Sequence, residues 1–340
     1  MNRARSSALS AFAIPFTVSG SSPVQVSSTS SYINADTDLL DPANSLSKKC
    51  LSGWTSDVGI SSVGSLSHTG LQPGNPHKIN QDRLWVADLA GGYKFFGVAD
   101  GHGMYGHLVS HMVREELGNI LESTEELHRD PKAALKSAHS QLSREIFNSK
   151  IDSSFSGSTS VSVLLKDRTL FCANVGDSRA ILGCVDGNAR WVSVPLSLDH
   201  KPDLPTERKR ILDNGGRISE CKNTRGDRVG PARVWLKHQD VPGLAMSRAF
   251  GDKVSSAVGV ISEPDITFTS LGSKDKTIIL ASDGVWEFLR NAEVLDIVSK
   301  FYERRDAEAA AKAVVDHART LWLREEGIVD DISVIVIFLN

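Results

Sequence analysis

From Arg83 onward the chain is punctuated by short apolar runs: RLWVADL, YKFFGVAD, STSVSVLLK, TLFCANV, SRAILGCV, ARWVSVPL, TIILASD and ISVIVIFL. Their length and their Val, Ile, Phe and Trp content predict β-strands. Connections such as Lys166-Asp167-Arg168 and Asp186-Gly187-Asn188 are hairpin-sized, so neighbouring strands are expected to run antiparallel. Two blocks between the runs have helical spacing instead. Met104–Ser123 repeats Leu108, Met112, Leu117 and Leu121, and Pro131–Asn148 repeats Ala134, Ala138, Leu142 and Ile146. Two more helices fit Asn291–Arg304 and Ala307–Glu325. Helices that arrive in pairs between groups of antiparallel strands imply an α+β fold. Two packed sheets with helices on their outer faces are expected, rather than an alternating parallel sheet.

The first fifty residues break this pattern. They are serine-rich, carry Arg3 and Arg5, and have no acid before Asp36. Residues 1–52 are expected to be disordered, for want of apolar surface to bury. The sharper reading is an organelle transit peptide. Residues 53–340 contain no linker long enough to divide them and read as one domain. The net charge of −3 supplies no global attraction to nucleic acid or an anionic membrane. No apolar run is long enough to predict a transmembrane helix. The four cysteines, Cys50, Cys172, Cys184 and Cys221, form no CxxC pair. That argues against a zinc knuckle or disulfide framework and fits a reducing compartment. The expected address is cytoplasm and/or nucleus, with plastid or mitochondrion as the alternative if the N-terminal segment is a transit peptide.

The chemistry sits where apolar runs meet acids. Asp100 ends YKFFGVAD and is followed by Gly101 and His102; Asp283 ends TIILASD and is followed by Gly284. Asp330 and Asp331 precede ISVIVIF, Asp82 precedes a further run, and Asp177 follows TLFCANVG. Read alone, Asp100-Gly101 is as good a turn as a ligand pair. If the last strand runs antiparallel to the other two, however, these acids gather at one rim. A carboxylate at the tip of a buried strand is costly unless its charge is offset. Several together favour a hard divalent ion such as Mg²⁺ or Mn²⁺, which prefers oxygen ligands. The competing reading, that each Asp separately caps a turn, weakens as the number in the same context grows. Gly101 would let backbone approach an ion closely and could offer its carbonyl.

Ten motifs in order carry a resemblance: NQDR (Asn80–Arg83), VADGHGMYGH (Val98–His107), SGSTS (Ser156–Ser160), ANVGDSRAIL (Ala173–Leu182), LSLDHKPD (Leu196–Asp203), ERKRI (Glu207–Ile211), GLAMSRAFGD (Gly243–Asp252), ISEPD (Ile261–Asp265), ASDGVWEFL (Ala281–Leu289) and DDISVIVI (Asp330–Ile337). Together they resemble the metal-dependent protein Ser/Thr phosphatases of the PPM family, type 2C. The Gln81-Asp82 pair is closer to the plant and protist style than to the animal Glu-Asp.

The resemblance implies a four-layer α-β-β-α sandwich with a dinuclear Mn²⁺ or Mg²⁺ site at one end. It makes Asp100 the carboxylate bridging both metals, Gly101 a carbonyl ligand, and Asp283 and Asp330 the remaining protein ligands. Asp82 would support metal waters. Asp177 matches a position for a weak third metal, whose usual partner acid is here Glu287, one methylene longer. His102 matches a proposed general acid. A phosphate-binding arginine of animal relatives is matched by His77, with Lys78 beside it. Gly216–Gly243 resembles the flap beside the site, with Trp235 read as flap packing. His107 and His111, spaced i, i+4, lack a third ligand and read as helix surface or core. The implied activity is hydrolysis of phosphoSer and phosphoThr in phosphorylated proteins by direct attack of a metal-held water or hydroxide, in a monomer, with no cysteine nucleophile. Two rivals stay open: a pseudophosphatase scaffold, and a metal-dependent phosphohydrolase of small molecules.

Overall fold

Ile332–Leu339 shows how the chain builds its layers. Ile335, Ile337 and Leu339 belong to one apolar cluster, while Ile332, Val334, Val336 and Phe338 belong to another. This is the two-residue alternation of a strand buried on both faces. The computed structural model describes residues 59–340. The Ser-rich 1–52 segment, its transit-peptide reading and Cys50 lie outside them.

Ile332–Leu339 is an inner strand of a sheet ordered Ile60–His68, Ile332–Leu339, Asp275–Ala281, Arg179–Val185, Trp191–Pro195, every pair antiparallel. A second sheet runs Phe250–Gly251, Gly157–Ser158, Tyr93–His102, Ser160–Lys166, Thr169–Val175, Asp265–Ser270, with Asp82–Leu89 also paired to Tyr93–His102. Phe96, Val98, Val163, Ile278, Leu280 and Ile335 help fill the space between the sheets. Helices Asn291–Ser299 and Ala307–Glu325 cover the outside of the first sheet, and Gly106–Ser123 and Pro131–Asn148 the outside of the second. The result is the expected helix–sheet–sheet–helix arrangement. Tyr93–His102 obeys the same alternation, with Phe95 and Ala99 toward the helices and Phe96 and Val98 toward the opposite sheet. Between them Gly97 makes room for Trp85, since a Cβ there would fall 1.9 Å from the indole.

The helices start where the local chemistry says they should. Pro131 fills the first turn, where its missing N–H is no loss, and Asp130 accepts the Ala133 N–H at 3.0 Å. Asp306 does the same for Ala309. The buried face of Pro131–Asn148 includes Ala134, Ala138, Leu142 and Ile146, as the spacing predicts. The first helix corrects its expectation in two ways. It begins at Gly106 rather than Met104, and its buried face is Val109, Val113, Leu117, Ile120 and Leu121. Leu108 and Met112 lie at the margin, because a stripe drawn through them is one residue out of phase with the core. The helix expected over Asn291–Arg304 stops at Ser299, and Arg305 takes a left-handed φ of 52°.

Two regions were not anticipated. Ile60–His68 is a strand whose core contribution rests on Ile60 and Val63 among four serines. Gly216–Gly243, expected as a polar flap, holds the antiparallel strands Gly216–Lys222 and Arg228–Leu236, with Pro242–Leu244 completing a small third sheet. Its own cluster of Ile211, Val234, Leu244, Met246, Val258 and Val260 includes residues of the unanticipated helix Pro205–Asp213 and the segment after Phe250.

Candidate metal centre

Strand direction brings the acids together. Asp82 and Asp100 are direct partners in the antiparallel pairing of their two strands. Ala281 pairs with Val334, so Asp283 and the Asp330-Asp331 pair emerge at one end of the other sheet. Ser282 joins the two sheets there: its hydroxyl donates to Asp82 Oδ2 at 2.8 Å and accepts the Ser333 N–H at 3.1 Å. Thr159 fixes the backbone of Asp100 from both sides. Its Oγ1 accepts the Asp100 N–H at 3.0 Å, and its N–H donates to the Asp100 carbonyl at 2.9 Å. The glycine after Asp100 is required by the protein's own backbone. A Cβ on Gly101 would lie 2.4 Å from the Gly106 carbonyl oxygen and 2.8 Å from that of Gln81.

The electrostatics are those of a site short of positive charge. Burial raises the Asp100 carboxyl well above the usual range, and Asp283, Asp82 and Asp330 add to the shift. Asp283 is raised by burial and then by Asp177 and Asp330. Asp330 is raised by burial and Asp331, against the pull of Lys78. Asp82, wholly buried, is pushed up to about 7 by burial and by Asp331. Asp283 is the largest charged neighbour acting on Asp100, so the two carboxyls compete for negative charge. Buried oxygens on Asp82 (Oδ1), Asp177 (Oδ1) and Asp283 (Oδ1) have no hydrogen-bond partner. Unpaired buried carboxylate oxygens are costly, and a cation relieves them. Among the described residues no three His, Cys, Asp or Glu side chains already converge as a complete ligand shell. The donor chemistry nonetheless fits a hard divalent ion: carboxylates clustered at one rim, with free oxygens and the Gly101 carbonyl beside them.

Around this core the structure sorts the other candidates. His102 Nε2 lies 2.6 Å from Asp252 Oδ2, and its Nδ1 has no partner. Burial disfavours the charged ring, yet the Asp252 carboxylate outweighs it and raises the His102 pKa. Lys78 joins the cluster, with Nζ 2.5 Å from Asp331 and 3.9 Å from Asp330. His77 is exposed and outside it. Asp177 is buried and paired to Lys201 at 2.5 Å, while Glu287 reaches the surface; partial desolvation of its carboxyl, and Asp177, raise its pKa against the pull of Lys201. Trp235 is flap packing: its indole N–H donates to the Ser219 carbonyl at 2.8 Å, and its ring fills the space a Cβ on Gly243 would need. Arg83 donates to the Asn80 and Asp82 carbonyls, Arg179 forks onto Asp199, and Arg248 binds Glu207 and Asp265. His107 and His111 lie on the first helix, half-buried and exposed respectively.

Three residues carry more than the sequence reading assigned them. Asp331 accepts hydrogen bonds from the Gly70 and Gln81 N–H groups at 2.7 and 2.9 Å, in addition to Lys78, and so ties the loop before Asp82 to the last strand. Asp252 and Lys201 both lie inside motifs already noted, GLAMSRAFGD and LSLDHKPD, but an acid or a lysine far along the chain carries no local mark of its partner. The available signal was an unpaired His102 and an unpaired Asp177, each needing a counter-charge.

A family model described as Protein phosphatase 2C matches residues 84–321. An Arabidopsis thaliana protein named "Probable protein phosphatase 2C 35" is 35% identical over 289 residues, 80% of this chain and 82% of that protein. Another from the same plant, "Probable protein phosphatase 2C 72", is 38% identical over 280 residues, 77% of this chain and 82% of that protein. Among solved structures, the crystal structure of serine-threonine phosphatase 2C from Toxoplasma gondii superposes with a TM-score of 0.71. It covers 84% of this chain and 98% of that chain at 23% identity, a likeness of fold.

Proposed function

The chain belongs to the protein phosphatase 2C family, and on that premise we propose that it is a protein serine/threonine phosphatase that works with two divalent cations, Mn²⁺ or Mg²⁺, held at the acidic rim. The observation that carries the metal dependence is the convergence of Asp82, Asp100, Asp283 and Asp330 with their raised pKa values and unpaired oxygens. Asp100, the Gly101 carbonyl, Asp283 and Asp330 would hold the ions. Asp82 supports from the next layer, held by Ser282.

When bound, the two cations supply an activated water and neutralise the phosphoryl oxygens of an in-line displacement. The rest falls to this chain's side chains. The water's oxygen forms a bond to phosphorus, the bond from phosphorus to the Ser or Thr oxygen breaks, and that oxygen needs a proton. His102 is placed to give it. With Asp252 occupying Nε2, the proton at Nδ1 of the charged ring is the one without a partner, and the raised pKa keeps that form populated. Of the two phosphate-binding candidates, Lys78 is supported by its place among the acids; His77 rests on its sequence position alone.

Phosphorylated proteins are the proposed partners, met by a monomer. The proposed address is cytoplasm and/or nucleus, with a plastid or mitochondrion as the alternative, tested by locating fluorescent fusions with and without residues 1–52. The decisive measurement for the activity is phosphate release from phosphoSer and phosphoThr peptides after EDTA treatment and again after adding Mn²⁺. Turnover that survives complete metal removal overturns the mechanism. Release from nucleotides but not from phosphopeptides overturns the substrate class.

A further inference from the structure

The corner formed by Asp177 and Glu287 is already attended by a positive charge. Lys201 Nζ lies 2.5 Å from Asp177 Oδ2. Its aim is set by the backbone: the His200 N–H donates to the Gly176 carbonyl at 2.9 Å, and the Gly176 N–H donates to His200 Nδ1 at 3.1 Å. Those bonds stitch the segment carrying Lys201 to the residue just before Asp177. Asp199, the nearest competing acid in sequence, is engaged by the guanidinium of Arg179 at 2.7 and 2.8 Å. Asp177 is only 2% exposed, and its second oxygen, Oδ1, has no partner. One ammonium therefore satisfies half of a buried carboxylate beside Asp283, whose charge also acts on Lys201. Burial works against the lysine's charge, but Asp177, Asp283 and Asp199 together hold it protonated.

We propose that the Lys201 ammonium is the resident cation of the Asp177–Glu287 corner, a monovalent occupant that a divalent ion must displace before it can bind there. An ammonium and a divalent ion cannot both sit against the same carboxylate without strong repulsion. The Lys201 side chain is 35% exposed, which gives the displaced ammonium a way out to solvent. The corner is thus closed to a third ion at low concentration and opens only as the ion concentration rises. This rests on the reading of the acidic rim as a two-metal site only in that those two ions serve as the internal reference.

The test is Mn²⁺ binding by the full chain, with free ion counted by electron paramagnetic resonance. Wild type is expected to bind two ions tightly and a third weakly. Lys201→Met should tighten the third by about tenfold or more, leaving the first two in place; Lys201→Arg should behave as wild type, and Asp177→Asn should lose the third ion. A Lys201→Met protein that binds a third ion no more tightly than wild type overturns the proposal. A second measurement needs no variant. Acetylation of Lys201 by acetic anhydride, read by mass spectrometry, should be low at two equivalents of Mn²⁺ and rise at excess; unchanged reactivity also overturns it. A wild type that binds no ion at all defeats the two-metal reading separately. In that event one ion gained by Lys201→Met still supports the lysine's role, and none gained refutes it.

Discussion

Asp252 Oδ2 approaches His102 Nε2 to 2.6 Å from a residue 150 positions away, and Asp252 does so from a left-handed backbone, φ 49° and ψ 51°. A non-glycine residue held there carries strain that its surroundings must offset. The carboxylate both orients the ring and stabilises its charged form. Asp252→Asn should therefore slow turnover of phosphoserine peptides by about 10²-fold, the usual span of general acid catalysis. p-Nitrophenyl phosphate, whose leaving group needs no proton, should be affected far less. Paired kcat measurements on the two substrates check this, and equal losses would count against an acid role for His102.

Asp100, proposed as a metal ligand, invites an opposite pair of effects in one variant. Asp100→Asn should abolish metal-dependent turnover, since it removes a negative charge from the proposed ligand set. In EDTA the same variant should melt higher than wild type, because burying the Asp100 carboxyl beside Asp283, Asp82 and Asp330 costs either repulsion or the uptake of a proton, and an amide needs neither. The rise should be roughly 2–4 °C for each kcal/mol of repulsion removed. Thermal melts with and without Mn²⁺ read both halves; a folded variant with normal turnover contradicts the assignment.

His139 gives a clean pH signature away from the site. It is fully buried, its Nδ1 meets the Leu135 carbonyl at 2.7 Å, its ring stacks on Phe250, and its pKa is pushed down to about 4 by burial. The unfolded chain protonates this ring near pH 6.5 and the folded one does not. Stability is therefore unaffected by His139 above pH 6.5 and falls as pH drops from about 6.5 to 4. The full difference is on the order of 3 kcal/mol. His139→Phe should lose that component. Denaturant midpoints of the two proteins across the interval, in saturating Mn²⁺, provide the comparison.

The acidic rim carries the reverse sign. Asp82, at about 7, binds its proton more tightly folded than unfolded, as do Asp100 and Asp283. Their contribution is fully present below the unfolded carboxylate range and is lost as pH rises through the folded values. In EDTA, melting temperature should therefore decline from pH 6.5 upward, where His139 no longer contributes. Mn²⁺ should flatten that decline, since ligated carboxylates gain from being charged. An EDTA profile that climbs over the same range would contradict the burial of these acids.

How much of this was legible beforehand depends on distance along the chain. Asp100, Asp283 and Asp330 were readable because each interrupts or adjoins an apolar run, and antiparallel pairing does the rest. Ile60–His68 was not readable, because its serines leave almost no alternation for a pattern to detect. The first helix is legible, with Leu117 and Leu121 on its buried face; only its first turns are misphased, since Leu108 and Met112 are as apolar as Val109 and Val113, which point inward. Lys201 and Asp252 escaped because an ion pair leaves no periodic trace: only the folded chain says which lysine meets which acid. The flap read as loop because its strands carry Arg, Lys and Glu, and the cluster that anchors them draws on residues before and after it.

Asp331 has a consequence for how the protein comes into being. It is 250 positions from Gln81 and 261 from Gly70, the backbone groups it holds, and the strand that follows it lies between two others in its sheet. A ribosome adding about 5–20 residues per second needs on the order of tens of seconds to travel from Gln81 to Asp331. For most of that interval Asp82 and Asp100 exist without Asp283, and to its end without Asp330 and the clamp that seats them. The nascent chain therefore carries half a centre and no phosphatase, and activity switches on only when the final strand leaves the exit tunnel and slots home.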